Sequence, residues 1–194
     1  MKSIKLLAIL FIAAITFSSC SDDETPAPVN EEEVITTMVV TLTPAGGGNA
    51  ITLTSKDLDG DGPNAPVLTY SPDPATLTMG ATYNGSIQLW NETEDPAENV
   101  NDEIVAEADD HQFFYSASTI AANFAYAGAN DSNGNPVGIN FTVTPTSAGT
   151  GTMTFILRHE PNKAGANVST GDITNAGGET DIEVSFAVTV NQPL

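Results

Sequence analysis

The chain is 194 residues long and sets five Lys and Arg against 25 Asp and Glu, a formal net charge of −20, with two His and one Cys. So acidic a surface repels phosphate backbones and anionic headgroups and draws in cations, which excludes nucleic acid as an expected partner. The lone cysteine excludes an internal disulfide, and the length suits one domain with a core large enough to be stable.

The N-terminus carries the first signal: Lys2 and Lys5, an apolar run over 6–17, then Ser18, Ser19 and Cys20. That run is short for a membrane span, and small residues before a lone cysteine suit a cleavage site, so residues 1–19 read as a signal peptide. Phe17, Ser18, Ser19 and Cys20 resemble a bacterial lipobox, with Phe17 where Leu is usual. This implies lipidation of Cys20 and a lipid anchor in the outer membrane; the alternative is an ordinary secretory peptide with an idle cysteine. Residues 20–33 hold two acidic clusters around a Pro-containing segment and have little to bury, which predicts an acidic tether. Its start, Ser21, Asp22, Asp23 and Glu24, is similar to the export signal that sends Bacteroidota lipoproteins to the outer leaflet; a plain soluble linker is the bland reading. Beyond the leader only Lys56, Arg158 and Lys163 offset the acids.

Residues 34–194 are expected to form the folded domain, because apolar residues recur there with a period of two. Val34, Met38, Val40 and Leu42 share one face of a first strand; Ile87 and Leu89, then Ile139, Phe141 and Val143, then Met153, Phe155 and Leu157 mark others. Over 182–190 five apolar residues alternate with polar or small ones, which puts Asp181 and Glu183 on the wet side. Strands apolar on one side argue for antiparallel sheets with one solvated face. The predicted fold is an all-β, immunoglobulin-like antiparallel β-sandwich with at most one or two short helical turns.

Asp57, Asp59 and Asp61, followed by Gly62, match the first half of an EF-hand-like calcium loop, where alternate carboxylates converge on a hard cation. The twelfth position is Leu68 instead of a bidentate acid, and a tight Asp/Gly turn without calcium fits the same residues. Trp90, the single tryptophan, falls on the parity of Ser86 and Gln88, either as a stacking platform or as a cover for a sheet edge.

Nine acids crowd between Glu92 and Asp110 and lead to His111. Residues 102–110 suit about two helical turns, which would set Glu107 and His111 four apart on one face. His159 ends the Met153 to Leu157 face and is followed by Glu160 and Pro161. If the two histidines meet at one end of the sandwich, they can hold zinc or another transition metal ion with Glu107 or Glu160, three ligands leaving one position for water or a partner's side chain. The plainer alternative is two histidines bonded to backbone carbonyls beside a solvated acidic run.

HQFFY (111–115), LRHEPNK (157–163) and GDITNAGGETDIEV (171–184), with the acidic lipobox tail, resemble a group of small flavobacterial lipoproteins, some labelled type 1 periplasmic binding fold. That label implies strands alternating with long helices over a longer chain, whereas strands here alternate with turns. The resemblance implies an envelope lipoprotein and no enzyme. The expected function is non-enzymatic: binding a divalent cation, or docking to an outer-membrane receptor or other envelope protein, with the protein surface-exposed. A carbohydrate-binding or adhesion module using Trp90 and loop aromatics is the alternative. No nucleophile elbow or phosphate loop occurs, and nothing positions two carboxylates for glycoside hydrolysis.

Overall fold

Alternation of apolar and polar residues becomes a stack of two sheets. The computed structural model describes residues 33–60 and 62–193. In chain order the strands are β1 (Thr37–Pro44), β2 (Ile51–Lys56), β3 (Val67–Ser71), β4 (Thr76–Thr78), β5 (Tyr83–Asn91) and β6 (Glu98–Asn99). A short helix, α1 (Asn101–Ala106), precedes β7 (His111–Ser118), β8 (Ala122–Ala127), β9 (Asn140–Pro145), β10 (Gly149–His159) and β11 (Glu179–Asn191). One sheet runs β3-β2-β1-β5-β9-β8 with β6 alongside β5; the other runs β4-β11-β10-β7. Pairing is antiparallel except for the three-residue match of β4 with β11, so the expected antiparallel sandwich is the observed fold.

The inward parities of both sheets supply one core. Met38, Val40, Leu53, Ile87, Leu89 and Phe141 from the first sheet join Phe113, Met153, Phe155, Leu157 and Phe186 from the second. Each such side chain, fully shielded, contributes about 1.5–3 kcal/mol of apolar burial. Tyr115 stacks on Phe141 with ring centroids 4.6 Å apart, tying β7 to β9 across the core.

Two departures from the sequence reading bear on the site. Val34, expected on the buried face of a strand over 34–42, is 58% exposed, because β1 begins only at Thr37. Glu33, expected in the tether, falls in the compact unit Glu32–Leu194, and its side chain is 1% exposed. The helix is also shorter than expected. The Asn101 side chain accepts from the Leu89 amide at 2.6 Å and donates to the Ile87 carbonyl at 3.0 Å, which sets the start of α1 on β5. The helix ends at Ala106, and a turn closed by Asp110 N–H to Glu107 O delivers the chain into β7 at His111.

The glycine-rich stretch after β10 folds back over the outer face of β7 and β10. Val168 and Ala176 bury against Phe114, with Ile156 and Ile173 packed beside them. Lys163 is buried here, its ammonium donating to the Ala108 carbonyl at 2.6 Å and pairing with Asp131 at 3.2 Å. This staple joins the post-β10 loop to the turn that precedes β7.

Candidate metal centre

His111 and His159 occupy the last core-facing positions of their strands. His111 continues the parity of Phe113 and Tyr115, and His159 that of Phe155 and Leu157. Because β7 and β10 are antiparallel neighbours, the two residues are direct cross-strand partners. Such partners bring Cβ atoms within about 4.5–5.5 Å, and here the ring centroids are 4.6 Å apart at an interplanar angle of 56°. The expected meeting of the histidines at one end of the sandwich is therefore what the topology produces.

The carboxylates beside them are Glu33 and Asp181, which the sequence reading did not select. Asp181 reaches the site through a bulge. The β10–β11 register passes from Leu157↔Ile182 directly to Arg158↔Thr180, so Asp181 is the extra residue. A bulge re-aims the side chain it inserts; Asp181, on the wet parity by alternation, is 1% exposed at its side chain and faces both imidazoles. Glu33 arrives from the opposite sheet, on the segment leading into β1.

Four contacts define the cluster. His111 Nε2 lies 2.6 Å from Glu33 Oε1 and 3.9 Å from Asp181 Oδ2, while His159 Nδ1 lies 3.3 Å from Glu33 Oε2 and 3.5 Å from Asp181 Oδ1. One donor atom from each residue falls within 4.8 Å of the others. Tetrahedral ligands on bonds of about 2.0–2.1 Å stand about 3.3 Å apart, and these separations straddle that edge. Despite their closeness, His111 Nε2 and Glu33 Oε1 are not aligned as a hydrogen bond. The four residues Glu33, His111, His159 and Asp181 could hold a metal ion.

The surroundings prepare these donors. His111 Nδ1 is 3.1 Å from the Glu107 carbonyl oxygen. A carbonyl only accepts, so Nδ1 donates its proton there and Nε2 is the nitrogen turned toward the cluster, the usual outer support of a ligating imidazole. For His159, burial disfavours the charged ring, but the carboxylates of Asp181, Glu33 and Glu160 outweigh it and raise its pKa above the ordinary imidazole value. On α1, burial and the charges of Glu33, Glu107 and Glu98 push the Glu103 carboxyl up, a sign of the negative field around this end of the fold.

The remaining expected site residues are placed elsewhere. Glu107 and Glu160 are exposed and are not in the four-residue group; Glu107 serves through its main-chain oxygen and Glu160 through its charge on His159. The helical spacing invoked for Glu107 fails because α1 ends before it, and Glu160, with φ 49°, turns away from the strand with its N–H donated to the Asp110 carbonyl. In the Asp loop, Asp59 accepts from the Asn64 side chain at 2.6 Å, which holds its carboxyl below the usual value, and Asp57 accepts from the Asp59 amide. Asp61 lies outside the described residues, as do Cys20, the leader and residues 20–32 of the tether. Trp90 is half-buried on the outer parity of β5, with β6 paired along its backbone at Asn99.

No family model, curated protein or solved structure matches this chain.

Proposed function

We propose that the protein is a non-enzymatic envelope lipoprotein, lipid-anchored through Cys20 to the outer membrane and facing outward, that holds one divalent transition ion at Glu33, His111, His159 and Asp181. The observation that carries this reading is the buried convergence of two imidazole nitrogens and two carboxylates within 4.8 Å. Two buried carboxylates without a cation are costly, several kcal/mol per ion after relaxation, and a divalent ion balances both charges. Two nitrogens with two oxygens suit borderline ions such as zinc; calcium prefers six to eight oxygens. A set of four protein ligands with side chains 0–7% exposed has no position for substrate, which favours a structural or storage role over catalysis. Docking to an outer-membrane receptor or other envelope protein is compatible with such a centre, which leaves the outer surface unused.

Elemental analysis of the full chain, purified without chelator, tests the reading. One equivalent of zinc or a similar ion is expected, with His111→Ala and His159→Ala each losing it. Absence of a bound ion, together with no zinc response of the wild type in titration, would sink the metal centre.

A further inference from the structure

The centre is closed. Side chains of Glu33 and Asp181 are 1% exposed, and those of His111 and His159 are 0% and 7% exposed, so no ion can enter or leave while all four keep these positions. One ligand has to move. His111 and His159 are held by the β7–β10 ladder, and Asp181 sits between the β10–β11 pairs Leu157↔Ile182 and Arg158↔Thr180, with His159↔Glu179 closing the end. Carrying the backbone of any of them away from the centre breaks strand pairing. Glu33 is different. Among the described residues, the first main-chain hydrogen bonds of its segment occur at Thr36, whose N–H donates to the Trp90 carbonyl at 2.9 Å and whose carbonyl accepts from the Asp57 amide at 2.7 Å. Val34 points to solvent at 58% exposure, and Ile35 alone of the intervening residues packs on the core.

We infer that Glu33 is a metal-operated latch: a divalent transition ion fastens residues 33–35 across the end of the sandwich, and their release uncovers the two imidazoles as the ion's route in and out. The inference rests on the proposed metal centre and adds its regulation. With the ion bound, the charges of Glu33 and Asp181 are balanced and the latch is held by a coordinate bond. Without it, the two carboxylates share a buried space with no divalent charge to balance both, which favours separation, and the segment at 33–35, which among the described residues has no main-chain hydrogen bond before Thr36, gives way. The three remaining ligands stay preorganised on β7, β10 and β11, so the open state is a half-built site ready to capture metal.

The test is hydrogen–deuterium exchange on the full chain with zinc or with a chelator, joined to zinc capture and release timed with a chelating dye. In the wild type, zinc should slow exchange of the amides of residues 34–36 by about tenfold or more, as closing a local opening does. Glu33→Gln should still take zinc through the other three ligands, but at least about 10–100-fold more weakly, the loss typical of even an outer-shell partner. It should also exchange zinc faster and show no zinc-dependent protection at 34–36. Val34→Ala, a change at an exposed neighbour, should behave as wild type, and core amides of β10 and β11 report that each variant is folded. Zinc bound with β7 and β10 protected but residues 34–36 unchanged would overturn the latch alone, as would Glu33→Gln binding zinc as tightly as wild type. If the wild type takes no zinc at all, the metal centre and the latch fall together.

Discussion

At the residue scale, burial decides what each charged group is worth. Lys163 and Asp131, 5% and 1% exposed at their side chains, form a buried pair whose ammonium also serves the Ala108 and Pro136 carbonyls. Lys163→Met removes the cation and strands Asp131, and breaking such a pair costs about 3–5 kcal/mol; urea unfolding should show the midpoint falling accordingly. Burial raises the Asp131 carboxyl, but the Asn135 amide and Lys163 outweigh it and hold its pKa below the ordinary value. A depressed folded-state pKa adds stability that is present above the unfolded value and is lost as pH falls through the folded one. Acid titration of Asp131→Asn should therefore lack a loss of stability that the wild type shows below the usual carboxylate range. At the proposed metal centre protons would compete with the ion. Because His159 is held above the ordinary imidazole value, zinc affinity should begin to decline at a pH higher than a free imidazole would dictate. Zinc titrations across neutral to mildly acid pH read this directly, and an affinity flat over that range would take His159 out of the ligand set.

At the element scale, the site depends on how β10 ends and β11 begins. Gly178 stands immediately before β11 with φ 69°, and a Cβ there would lie 2.1 Å from the His159 carbonyl oxygen. Only glycine lets the returning chain pass so close to the strand that carries a ligand. Gly178→Ala combines a left-handed backbone, a strain of about 1–3 kcal/mol, with a clash against main chain. Thermal unfolding should register the loss, and zinc affinity should fall with it, since the same shift moves His159 and Asp181 apart. The bulge at Asp181 and the turn after α1 are the other local devices. One re-aims a carboxylate and the other places the Glu107 carbonyl under His111.

At the scale of the whole molecule, the four-residue cluster joins the segment before β1 to three strands of the opposite sheet. An ion bound only to the folded state stabilises it by about 2.7 kcal/mol at a hundredfold excess over Kd. For a domain of this size each kcal/mol moves Tm by about 2–4 °C, so zinc should raise Tm by roughly 5–10 °C over the chelated protein. A calorimetric scan showing no such shift would mean the centre is empty or uncoupled from folding. The anchor is a separate matter. Cys20→Ala should leave the chain unlipidated and poorly retained by membranes, because acyl chains would be its attachment; equal membrane retention of mutant and wild type in fractionation would remove the anchor.

Alternation along the strands was enough to foresee a sandwich, because period-two burial is a local property that each stretch such as Met153, Phe155 and Leu157 displays by itself. The same parity carried His159 to the end of its core face, and His111 was expected to meet it at one end of the sandwich, so half of the candidate centre was legible before any pairing was known. The carboxylates were not. Glu33 is one acid among several in a stretch with no periodicity, and what turns it inward is the opposite sheet. Asp181 obeys an alternation that places it in water until one extra residue in β11 reverses its direction, and a bulge is defined by two strands together. Glu107 and Glu160 looked better from sequence because they are near the histidines in the chain, whereas a ligand set is chosen by distance through space, which only the packing of one sheet against the other decides.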